Sequence, residues 1–111
     1  MKNIAILTCR KAADVCTGAA CMKAFNEKTG SFSAYGEPAR LVAFMQCNGC
    51  GSDPTDENMA KKIARLEKDG ADCVHIGICS EPSPGVECEI ITQIAGIIET
   101  RGIAVVRGTH A

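Results

Sequence analysis

The chain has 111 residues, 46% of them hydrophobic, and a formal net charge of −1 at pH 7. That length suits one domain over residues 1–111, and the absence of any basic excess speaks against a nucleic-acid or anionic-lipid partner. No apolar run approaches the roughly 18 residues of a membrane span. The apolar stretch after Met1-Lys2 is too short for a signal peptide and runs straight into Thr8-Cys9, so no membrane and a cytosolic location are expected. Eight cysteines in a reducing compartment then read as metal ligands or catalytic thiols rather than as disulfide staples.

Asn3 to Thr8 is a continuous apolar run, as for a strand covered on both faces, and it ends at Cys9. After a polar loop, Thr17 offers an N-cap for a helix ending near Lys28, with Gly30 as its stop. Cys16 lies just before that helix, Cys21 in its first turns, and Met22 and Phe25 give it an apolar stripe. A loop over residues 29–39 leads to a second strand, Arg40 to Gln46, which ends at Cys47.

Asp53 is expected to cap a second helix with Pro54 in its first turn, where a missing N–H costs nothing. Met59, Ile63 and Leu66 are its core stripe, and Gly70 stops it. Ala71 to Ile78 is the third strand, ending at Cys79. Residues 80–86 form an irregular loop with Pro82, Pro84 and Gly85. Cys88 stands at the start of a third helix whose apolar face is Ile90, Ile91, Ile94, Ala95 and Ile98, with Gly102 as its stop. Ile103 to Arg107 is a fourth strand, and Gly108-Thr109-His110 is its exit.

The order β-α-β-α-β-α-β with short connections predicts an α/β three-layer sandwich: a four-stranded parallel sheet, order 2-1-3-4, with three helices. Strands of such a sheet exit on one edge, where open α/β sheets keep their sites. Cys9, Cys47, Cys79 and His110 each lie just past a strand, and Cys16, Cys21, Cys50 and Cys88 lie in the following loops or helix starts. Cys73, inside a strand, reads as a small buried hydrophobe. His75 sits four residues before Cys79, about 13 Å along an extended strand. It reads from the residues as a satisfied buried histidine. Helix N-termini nearby are expected to lower thiol pKa values.

Cys47-Asn48-Gly49-Cys50-Gly51 has two readings. In a metal knuckle, the glycines take positive φ while backbone N–H groups face the sulfurs. In a thiol oxidoreductase, Cys47 is the exposed nucleophile and Cys50 resolves. The strand–CxxC–helix order fits both. The distance of Cys50 from the expected cap, the missing tryptophan and the lack of a proline before the third strand favour the knuckle.

These motifs together resemble the CGGC-domain family of small cysteine-rich proteins. The resemblance rests on Cys9, Cys16-Thr17-Gly18-Ala19-Ala20-Cys21, Lys23-Ala24-Phe25, Phe32, Tyr35 and the central CxxC. It continues through Gly70-Ala71-Asp72-Cys73-Val74-His75, Cys79, Cys88 and Gly108-Thr109-His110, and so covers nearly the whole chain. It implies metal binding, zinc being the usual expectation. By position it carries that role onto Cys9, Cys16, Cys21, Cys47, Cys50, His75, Cys79, Cys88 and His110. The chain departs from the family pattern at Asn48, where the family has Gly, and at Thr17 and Glu89, where proline is expected. Asn tolerates positive φ, so the turn can survive.

The expectation is a cytosolic metal-binding protein with Cys9, Cys47, Cys50 and Cys79 as the inner set. Cys16, Cys21, Cys88 and His110 would complete it or build a second centre. Zinc suits such ligands and an iron–sulfur cluster suits the same thiolates. The rival readings are thiol–disulfide exchange at Cys47 and Cys50 with a protein redox partner, and a metal chaperone with a metal-transfer partner.

Overall fold

A computed structural model describes residues 1–110. Four parallel strands form one sheet in the order β2-β1-β3-β4, with β1 at Lys2–Thr8, β2 at Ala39–Gln46, β3 at Cys73–Ile76 and β4 at Ala104–Arg107. Helices α1 (Ala19–Glu27), α2 (Glu57–Lys68) and α3 (Glu89–Thr100) make the crossovers. The predicted order and connectivity are those observed.

Alternation along β1 divides the core in two. Ile4 and Ile6 pack with Phe25, Ala24 and Cys21 of α1 and with Phe32. Ala5 and Leu7 pack with Met59, Ile63 and Leu66 of α2 and Ile91, Ile94 and Ile98 of α3. β3 follows the same rule, with Cys73 on the α1 face and Val74 and Ile76 on the other. α1 therefore covers one face of the sheet and α2 with α3 the other, as a three-layer sandwich requires. β2 skips a residue against β1, pairing Leu41 with Ile4 and Ala43 with Ala5. The bulge lets both Val42 and Ala43 join the α2–α3 layer before alternation resumes with Phe44 on the α1 face.

Several element ends differ from expectation, each for a local reason. α2 begins at Glu57, because Asp56 is the cap: its side chain accepts from the Met59 N–H at 2.9 Å. Asp53 instead accepts from the Thr55 N–H and hydroxyl in its own turn. α1 begins at Ala19 after Gly18 in the left-handed region, and it ends on Lys28 rather than Gly30. Lys28 has φ +55°, with its ammonium donating to the Phe25 carbonyl at 2.7 Å over the Phe25 ring. Gly30 opens a 3-10 turn over Gly30–Ala34 inside the expected loop. β3 stops at Ile76, and Gly77 leads into a 3-10 turn over Ile78–Ser80 that carries Cys79. Among the described residues no helix is long and apolar enough to cross a membrane.

Candidate metal and thiol site

β1 connects to β2 on one side and the chain then returns past β1 to β3, so the topological switch lies between β1 and β3. Cys9 leaves β1 at this point, and Cys79 lies just beyond β3 in the 3-10 turn. Two cavities open beside them. The smaller, about 90 Å³, is walled by Cys9, Cys16, Cys21, Cys79 and His110 among others. The larger, about 540 Å³, is walled by Cys9, Cys50, Cys79, Cys88, Lys11 and Ser80 among others. Cys9 and Cys79 are common to both.

Each loop is held by specific bonds. Cys88 is the N-cap of α3, and its N–H donates to the Ser80 carbonyl at 2.7 Å, tying the start of α3 to the Cys79 turn. Cys16 accepts from the Gly18 N–H at 3.3 Å. Cys21 is buried in α1, with its sulfur 3.2 Å from the Thr109 hydroxyl. The tail that carries Thr109 and His110 is pinned in turn. Gly108 N–H donates to the Ile76 carbonyl at 2.8 Å, and Ser31 N–H to the Thr109 carbonyl at 2.8 Å.

Partial desolvation pushes the Cys79 thiol up, rather than down as the helix-terminus argument expected. The Cys9 backbone N–H near the sulfur opposes that rise. Repulsion from Cys21, Cys9 and Cys16 reinforces it. The Cys79 sulfur thus lies in the electrostatic neighbourhood of Cys21, Cys9 and Cys16.

The CxxC does not act as a unit. Cys47 shares the face of Met45 and is 5% exposed in the α2–α3 core, whereas Cys50 is exposed. This reverses the exposure expected of a Cys47 nucleophile. Cys47 accepts from the Arg10 N–H at 3.4 Å and lines neither cavity. Gly49 and Gly51 take positive φ as expected, at +113° and +82°, while Asn48 does not. Asn48 is used as an anchor instead: its side-chain oxygen accepts from the Lys62 ammonium at 2.6 Å, and its carbonyl from the Arg10 guanidinium at 3.3 Å.

His75 is 1% exposed and lines neither cavity. Its Nδ1 donates to the Gly108 carbonyl at 2.9 Å, so Nε2 accepts from the Tyr35 hydroxyl at 2.6 Å, and its ring packs on Phe32. Burial pushes its pKa down, against the Gly108 bond. Burial, and then Cys73 beside it, push the Tyr35 hydroxyl up. Both ring nitrogens are engaged, as for a satisfied buried histidine. Sequence reasoning missed Lys11, Ser80 and Thr109. Only Ser80 and Thr109, small polar residues next to an expected ligand, carried any signal.

Among the described residues, no three His, Cys, Asp or Glu side chains stand close enough together to hold a bare ion. The thiols are gathered around cavities rather than around a point.

The family model for the CGGC domain matches residues 3–110. An uncharacterized protein of Methanocaldococcus jannaschii is 35% identical over 118 aligned positions, covering 97% of this chain and 86% of that protein. No solved structure matches.

Proposed function

The chain belongs to the CGGC-domain family, and from that footing we propose that it binds a metal centre through thiolates of its carboxyl edge. One observation carries the reading: Cys9, Cys50, Cys79 and Cys88 wall a single cavity of about 540 Å³. The donor set fits. Thiolates are the ligands that zinc and iron–sulfur centres share. Lys11 in the wall offsets the negative charge that several thiolates would gather. The Ser80 hydroxyl, buried without a partner, is a donor in the same wall for which a thiolate or sulfide is the natural acceptor.

Spacing bears on which metal. A tetrahedral zinc site draws its donors to about 2.3 Å from one point, and the loops would have to close for that. An iron–sulfur cluster holds its thiolates wider apart, because they bind different iron atoms. The width of the cavity favours the cluster as the second reading beside zinc. The smaller cavity, with Cys16, Cys21 and His110, supplies further donors. Exchange at Cys47 and Cys50 has less support, since the expected nucleophile is buried.

The test is anaerobic purification followed by elemental analysis and visible absorption. Colourless protein with zinc supports the zinc reading. Brown protein with iron and acid-labile sulfide supports the cluster. Protein that holds neither metal, and takes up neither when reduced, refutes the proposal.

A further inference from the structure

We propose that Cys9 and Cys79, not Cys47 and Cys50, form the redox-active disulfide of this protein, and that its formation shuts both cysteine cavities to metal. The second clause rests on the metal-binding reading, whereas the first stands without it.

The topology brings these two thiols together. Leu7 of β1 pairs with Ile76 of β3. Cys9 follows two residues after the first and Cys79 three after the second. Paired strands lie about 4.8 Å apart, and both cysteines stand just past the last pair, Cys9 beyond the end of β1 and Cys79 in the 3-10 turn after β3. The Cys79 sulfur is folded back over this seam. A Cβ added at Gly77 would stand 3.3 Å from it and 3.3 Å from Cγ2 of Thr8, the residue before Cys9. Gly77 is thus the small residue that lets the sulfur lie against the end of β1. Cys9 and Cys79 are also the two cysteines that both cavities share.

The CxxC pair is divided between core and surface, although Cys47 also follows the strand next to Cys9 and accepts from the Arg10 N–H, and Cys16 and Cys88 each share one cavity with the proposed pair. Cys47 is buried in the α2–α3 core and Cys50 lies out on the exposed turn. Cys21 is buried against the Thr109 hydroxyl. Cys79 is exposed and Cys9 half-buried, so an oxidant can reach one while the other waits behind it.

The chemistry balances with a low-molecular-weight disulfide such as glutathione disulfide. The Cys79 thiolate attacks it, forming a mixed disulfide and releasing one glutathione thiolate. The Cys9 thiolate then attacks the Cys79 sulfur, forming the Cys9–Cys79 bond and releasing the second. The two protons of the protein thiols end on the two glutathiones, so the protein loses two electrons and the oxidant gains them. Each cavity thereby loses two thiolate donors at once, because a disulfide sulfur has no thiolate charge to offer a metal.

The test begins with reduced, metal-free protein exposed to glutathione disulfide without oxygen, quenched in acid, alkylated and mapped by peptide mass spectrometry. The expected first product joins the Cys9 and Cys79 peptides, and it still forms in Cys47→Ser. A first product joining any other pair of cysteines, or no protein disulfide, overturns the proposal. Cobalt(II) is then titrated into reduced and oxidised protein. Loss of the thiolate-to-cobalt absorption only on oxidation supports the coupling, and equal binding by both forms overturns it. If reduced protein binds no cobalt, the coupling falls with the metal reading, while the mapped disulfide still decides the first clause.

Discussion

The buried histidine gives the protein a pH-dependent stability that can be worked out from its two bonds. A carbonyl can only accept, so the bond to Gly108 fixes the proton of His75 on Nδ1, and Nε2 is left to accept from Tyr35. Charging the ring needs a second proton on Nε2, where the Tyr35 hydroxyl already donates, in a site 1% exposed. Burial therefore holds His75 below its ordinary 6.5. The unfolded chain takes up a proton below that value and the folded chain does not, so the unfolded state binds more protons. Stability is then fully present above 6.5 and is lost as pH falls from there toward the folded value. For one proton the loss between about pH 7.5 and about pH 5.5 is at most ~1.4 kcal/mol. At about 4 °C per kcal/mol for a domain this size, Tm falls by at most about 6 °C. Urea denaturation at the two pH values, in the wild type and in His75→Gln, measures it. The variant is less stable at both, but its pH dependence in this window is flatter by up to that amount. An identical pH dependence in the two proteins refutes the argument.

Three further outcomes follow from named contacts. Asp56→Ala removes the α2 cap and lowers stability by about 1 kcal/mol, whereas Asp53→Ala costs less; the reverse order in urea midpoints would restore Asp53 as the cap. Gly30→Ala puts a Cβ into the Thr109 carbonyl at a φ of +56°, lowering stability by about 1 kcal/mol or more and shifting the Thr109 and His110 amide resonances. Ser80→Ala removes a buried hydroxyl that has no partner. It raises the stability of metal-free protein by up to about 1 kcal/mol while weakening metal uptake, an opposition that thermal melts with and without metal will display.

The sheet was legible because β1 and α3 are strongly patterned and each strand is bounded by glycine or a polar turn. Element ends were less so. Asp53-Pro54 and Asp56 both carry a cap signal, and only the Asp56–Met59 bond decides between them. Lys28 held at φ +55° was not legible, since its compensation is a carbonyl and an aromatic face beneath its own side chain. The gathering of thiols on one edge could be read from their places after strands. How they divide between two cavities could not, because that depends on the 3-10 turn at Ile78–Ser80 and the anchoring of Cys88 to Ser80.

The CxxC shows why sequence proximity misled where topology did not. Two thiols three positions apart look like one device, but β2 runs through Gln46, and alternation places Cys47 with Met45 toward α2 and α3. The chain then turns through Gly49 and Gly51, stapled by Lys62 and Arg10, and delivers Cys50 alone to the larger cavity. Cys9 and Cys79 are 70 positions apart in the chain, yet β1 and β3 are neighbours in register and their exits meet at the switch point. In a parallel sheet, the distance that governs thiol chemistry is therefore the one between strand exits. Replacing Cys47 should disturb packing first, and replacing Cys9 or Cys79 should disturb both cavities.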